Sequence, residues 1–202
     1  MTKKTIALFV IAASTIGFTS GVRAQKPEPA SASQHEQMIK GMMGMTDERF
    51  VPMMIKHHQH GIEMARLEED RGSSASVKAL AAKIRQSQEK ELAELKTHAE
   101  HVAKGASGHA EHDKMMELQS QSMMAKLKSA SGAALDHAFL EQMAKHHEGA
   151  IAMTEGAKLQ DPELKKLAQQ MLTGQRQELA ELKKELAAHA SPKQQGPRAP
   201  QV

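Results

Sequence analysis

From residue 46 to residue 190 the chain lacks the β-branched alternation of apolar and polar positions that marks strands. Its residues there are mostly Ala, Leu, Lys, Glu, Gln and Met, which are good helix formers. The pattern predicts an all-α fold with four long helices. The first spans Asp47 to Glu69, led by Thr46 and stopped at Gly72; Pro52 sets its start nearer Val51 or kinks it. The second spans Ala75 to His98 after Ser73 and Ser74, the third Leu135 to Leu159, and the fourth Pro162 to Ala188, with proline in its first turn. A shorter helix, Asp113 to Lys128, is predicted in the connection.

The pattern is also doubled. Phe50, Met54, His57, His58, Ile62 and Met64 recur in the same order and spacing as Phe139, Met143, His146, His147, Ile151 and Met153. The following helices echo each other too: Gln88-Glu89-Lys90-Glu91-Leu92 against Gln175-Arg176-Gln177-Glu178-Leu179. A helical hairpin is therefore used twice, and two such hairpins burying their apolar faces together make a four-helix bundle. The resulting organisation is a signal peptide (1–24), a flexible Met-rich segment (25–45), a first hairpin (46–98), a His/Met-rich crossover (99–134), a second hairpin (135–190) and a disordered tail (191–202).

Composition narrows the function. Lys3 and Lys4, the apolar run Ile6 to Phe18 and Val22-Arg23-Ala24 read as an export leader, placing the mature chain in a periplasm or outside the cell. The chain has 27 Lys and Arg against 24 Asp and Glu; the leader holds three of the bases and no acid, so the mature chain is neutral. No basic patch remains to bind nucleic acid or an anionic membrane. Cysteine is absent, so an exported fold must rest on core burial. Only Phe50 and Phe139 supply aromatic rings after the leader, which leaves Leu, Ile and Met as the large core side chains.

Thioethers and imidazoles together favour a soft or borderline metal such as copper(I). At roughly 100° per residue, Met53, His57, His60 and Met64 share one helix stripe, with Met54 and His58 on the next. The second copy keeps Met143, His146, His147 and Met153 but has Gln142 and Gly149 in place of Met53 and His60, so the first copy is the richer donor set. Secondary donors are His35, Met38, Met42, Met43 and Met45 before the first helix, and His98, His101, His109 and His112 in the crossover, where zinc or nickel would also suit histidines three apart. Met115, Met116, Met123 and Met124 read either as further donors or as the buried face of the short helix. Gln88, Glu91, Gln175 and Glu178 either orient an imidazole or are solvated.

Enzymatic readings lack their residues. A ferritin-like di-iron site needs Glu-x-x-His, and Met54 and Met143 stand where those glutamates would be. No Ser-His-Asp or Cys-His arrangement and no glycine-rich phosphate loop is present, so catalysis is not expected.

The two M-x2-HH-x5-M helices, each followed by a Q-x2-E helix, with Asp136-x2-Phe139-Leu140 before the second, resemble the CopM-like family of secreted Met/His-rich proteins, formerly a domain of unknown function. The resemblance covers Gln34 to Ala188. It implies a ferritin-like four-helix bundle that binds copper(I), or silver(I) as a surrogate, in copper tolerance. Its motif positions here are Met54, His57, His58, Met64, Met143, His146, His147 and Met153. The chain departs from the family after Q-x2-E, where Leu95 and Leu182 stand among charges in place of a methionine and tryptophan. The expected role is metal buffering, sequestration or transfer, with a copper-transport or efflux protein as delivery partner. The alternatives are a structural or partner-binding bundle without metal, and a zinc or nickel handler using the crossover histidines.

Overall fold

The computed structural model describes residues 44–102 and 110–189. Five helices make up those residues: α1 (Asp47–Arg71), α2 (Ala75–His101), α3 (Ala110–Lys128), α4 (Gly132–Gly156) and α5 (Pro162–Ala188). Within each hairpin α1 packs on α2 and α4 on α5; α1 also lies against α4, α2 against α5, and α3 crosses α1 and α4. The four long helices thus form the bundle expected from the repeat, with the crossover helix laid over one seam.

Helix ends differ from the sequence reading by less than a turn. The third long helix runs Gly132–Gly156 rather than Leu135 to Leu159, because Gly132 takes the left-handed φ of 57° and lets the helix start straight after Ser131. The first helix starts at Asp47 and carries Pro52 inside it. Gly72 ends α1, though not through a left-handed cap: its φ is −67°. A Cβ there would collide with the Glu68 carboxyl and carbonyl, so the glycine makes room.

Two apolar clusters fill the ends of the bundle. One gathers Met45, Phe50, Val51, Met53, Met54, Leu95 and Met153 with the start of α5; the other gathers Met64, Val77, Ile84, Leu127, Phe139, Leu140, Met143 and Leu182. The N-terminal half of α1 therefore meets the C-terminal end of α4, and the two helices run antiparallel. Phe50 and Phe139, at equivalent repeat positions, are both fully buried, one in each cluster. Between the clusters lies a buried polar layer: His57, His58, His146, His147, Gln88, Gln175 and Glu178.

Each hairpin is also tied to the other at its loop. Asp136, at the start of α4, accepts from Ser73 N (2.8 Å), Ser74 N (3.0 Å) and Ser73 Oγ (2.6 Å) in the α1–α2 loop. Asp47, at the start of α1, accepts from Gln160 N and Asp161 N (both 2.9 Å) in the α4–α5 loop. Burial pushes the Asp136 carboxyl upward, but the Ser73 hydroxyl and amide outweigh it and hold it below the usual range. Neighbouring Glu68 is the opposite case: it is fully buried, and burial first, then its close carboxyl–carboxyl approach to Asp136, push it up to about 8.

Candidate metal centre

Adjacent residues on a helix point about 100° apart, and here that divergence separates the two members of each histidine pair. His58 turns toward α2. Its Nδ1 donates to Met54 O (2.9 Å) and its Nε2 meets Glu91 Oε2 (2.7 Å). His147 repeats this on α5, with Nδ1 on Met143 O (3.0 Å) and Nε2 on Glu178 Oε2 (2.8 Å). Both nitrogens of each ring are engaged, so ligation would first break one of these bonds. The Q-x2-E glutamates thus orient imidazoles within the bundle, the first of the two sequence readings of those residues.

His57 and His146 turn the other way, toward each other across α1 and α4. Their rings stack with centroids 3.6 Å apart and planes inclined by 31°. His146 Nε2 donates to His57 O (3.1 Å), which leaves its Nδ1 as a lone pair. The Nδ1 atoms of both rings are buried and have no hydrogen-bond partner among the described residues. Burial first, and then the facing ring for His57 and the adjacent His147 for His146, hold both well below the ordinary histidine value of 6.5. They are neutral imidazoles at physiological pH, the form that coordinates metals. Gly149, which occupies the second-copy position of His60, lies against the His57 ring: a Cβ there would make ordinary van der Waals contact, 3.8 Å from His57 Nε2.

These two rings wall a cavity of about 50 Å³ beneath α3. Met53, Lys56, His57 and His60 face it from α1, and Lys145, His146 and Gly149 from α4. Met116, Glu117, Gln119, Ser120 and Met123 close it from α3. His60 Nε2 lies 3.8 Å from Glu117 Oε2 on the cavity's rim. The donors assembled around one space are therefore three imidazoles and three thioethers, a soft set. Among the described residues no three His, Asp or Glu side chains come close enough together to hold a metal ion by themselves, so a site here also needs the thioethers.

The predicted ligands divide accordingly. Met53, His57, His60 and His146 are brought together. Met54, Met64, Met143 and Met153 are core residues of the two apolar clusters, and His58 and His147 hold the layer in place. Met45 is buried in the first cluster rather than belonging to a flexible segment. His98 and His101 lie near the end of α2, with His98 Nδ1 4.0 Å from Asp161 Oδ1. His35, Met38, Met42, Met43 and His109, and the side chain of His112, fall outside the described residues. Met116 and Met123, read from the sequence either as further donors or as the buried face of the short helix, both line the cavity. Their spacing of seven residues was the available signal, since it puts both on one helix face.

The chain matches the family described as "Domain of unknown function (DUF305)" over residues 14–99 and, overlapping, 47–186. No curated protein matches it. Among solved structures it is similar to a DUF305 fragment from Deinococcus radiodurans, with 27% identity and a TM-score of 0.60 over 70% of this chain and 95% of that one. It is similar to CopM in its Cu(II)-bound form, with 28% identity and a TM-score of 0.58 over 72% of this chain and 99% of that one. CopM in its Cu(I)-bound form is 26% identical, with a TM-score of 0.57 over 72% and 98% of the two chains.

Proposed function

The chain belongs to the DUF305 family, and from that premise we propose that it is an exported protein that binds copper(I), with silver(I) as surrogate, to buffer or hand on the metal. One observation carries this reading: two stacked, neutral imidazoles, His57 and His146, wall a cavity that Met53, Met116 and Met123 also line. His57 and His146 would be the central ligands, Met53 a thioether donor, and His60 a donor at the mouth. Low-coordinate exchange between such donors needs no bond-making chemistry in the cargo. The likeness to CopM structures holding copper supports the metal, and silver is found in a further CopM structure, 26% identical with a TM-score of 0.57. The leader-like first 24 residues support export, and no helix among the described residues is long and apolar enough to cross a membrane.

Competition with a chromogenic copper(I) chelator tests the assignment. Residues 25–202 should take copper(I) from the chelator, and His57→Leu with His146→Leu should lose at least ~10-fold in affinity, the equivalent of ~1.4 kcal/mol. Unchanged affinity and stoichiometry in that variant would sink it.

A further inference from the structure

The helix that roofs the cavity is held unlike the other four. Its fully described side chains bury only Met123 and Leu127; Met116 is half-buried, and Met115 and Leu118 are exposed. A helix with so few buried apolar contacts opens locally at far lower cost than the bundle unfolds. Yet the residues it turns inward are chosen for more than packing. Met116 and Met123 stand on one face, with Ser120 between them, and all three face the cavity that His57 and His146 wall from below. Ser120 leaves space where a larger residue would fill the cavity.

Without α3 the space offers three histidines, His57, His60 and His146, and the Met53 thioether, a set open to zinc, copper(II) and copper(I) alike. Closing α3 adds two sulfurs, which select for a soft monovalent ion. Resting on the copper reading above, we propose that α3 is a ligand-bearing lid, in which Met116 and Met123 complete the site and the bound ion clamps the helix onto α1 and α4. Capture and closure are then one event, and release requires α3 to lift. The approach of Glu117 to His60 at the rim is a further contact between α3 and α1.

Linkage sets the size of the effect. An ion that binds only the closed state lowers the open population of α3 about 100-fold when its free concentration is about 100 times Kd. Amide hydrogen exchange of residues 25–202 with silver(I) as probe should therefore slow in α3 by up to that factor, with little change in α5. Met116→Leu with Met123→Leu conserves volume and apolar character, so circular dichroism should be unchanged. The variant should bind silver(I) at least ~10-fold more weakly, bind zinc as the parent does, and lose the silver-dependent slowing in α3. Retention of both the affinity and the slowing in that variant would overturn the lid. So would silver(I) uptake that depends on His57 and His146 but leaves α3 exchange unchanged, and this result would leave the copper reading standing. Failure of the parent protein to take up silver(I) or copper(I) at all would overturn both.

Discussion

Replacing His57 and His146 by leucine should stabilise the metal-free protein. Two buried Nδ1 atoms without partners disappear, each relieving about 1–3 kcal/mol. Against this, the bond from His146 Nε2 to His57 O is lost, at about 1 kcal/mol. The ring stack at 3.6 Å is lost too, worth about 0.5–1.5 kcal/mol. His57 O is a helical carbonyl, so losing that donor does not orphan it. The net is a gain of about 2 kcal/mol, or about 4–8 °C in Tm for a domain of this size. Urea unfolding followed by circular dichroism, with a strong chelator present, measures it. The same variant should show no silver-dependent rise in Tm, whereas the parent should. It should also differ in pH response. Both histidines have folded-state values below the unfolded one, so their contribution is fully present above 6.5 and declines as pH falls through that value. The parent should therefore weaken between about pH 7 and pH 5, and the variant much less. A metal-free variant more than about 1 kcal/mol less stable than its parent would show that the Nδ1 atoms are satisfied, and the reasoning would fail.

Three other substitutions probe the frame around the site. Asp136→Asn replaces an acceptor of three hydrogen bonds with a side chain that has one acceptor oxygen; a loss of about 2–4 kcal/mol in chemical denaturation is expected, and an unchanged midpoint would refute the role of that contact. Glu68 is pushed from the ordinary carboxyl value of 4.5 up to about 8 in the folded protein, so its protonated form contributes stability that is lost as pH rises through about 8. Glu68→Gln should then match the parent near pH 5 and exceed it by at least ~1 kcal/mol at pH 9; parallel pH profiles would contradict this. Gly61→Ala places a Cβ against the buried Gln88 amide; thermal denaturation should show a loss of about 1–3 kcal/mol, reduced when Gln88→Ala is added.

The repeat made most of the fold legible. A hairpin read twice predicts a bundle, and the four long helices start within a turn of their predicted positions, with Ser74 and Asp161 capping theirs through the side chain. The stripe of Met53, His57 and His60 was also legible, because helical projection alone puts those side chains on one face. Met64 shares that projection but lies about 10 Å farther along the axis than His57, which carries it into the other apolar cluster. Projection has no axial coordinate, so the stripe could not reveal that break. Nor could it say which histidine of each pair would meet its partner across the seam. That choice depends on Glu91 and Glu178 capturing His58 and His147, contacts between helices rather than along one. The part played by α3 was least legible, since it rests on where a long connection crosses the bundle.

The crossed aspartates carry a consequence for how the chain reaches this state. Asp47 binds the turn of the second hairpin and Asp136 the turn of the first, so each hairpin's loop borrows a carboxylate from the other. Half the protein expressed alone would keep the sequence of a hairpin but lose the carboxylate that orders its turn. Two halves cut in the crossover should each be largely unfolded and should regain helicity when mixed, with a midpoint that depends on their concentration. The duplication thus produced complementary fragments, each the template for the other, rather than two independent modules.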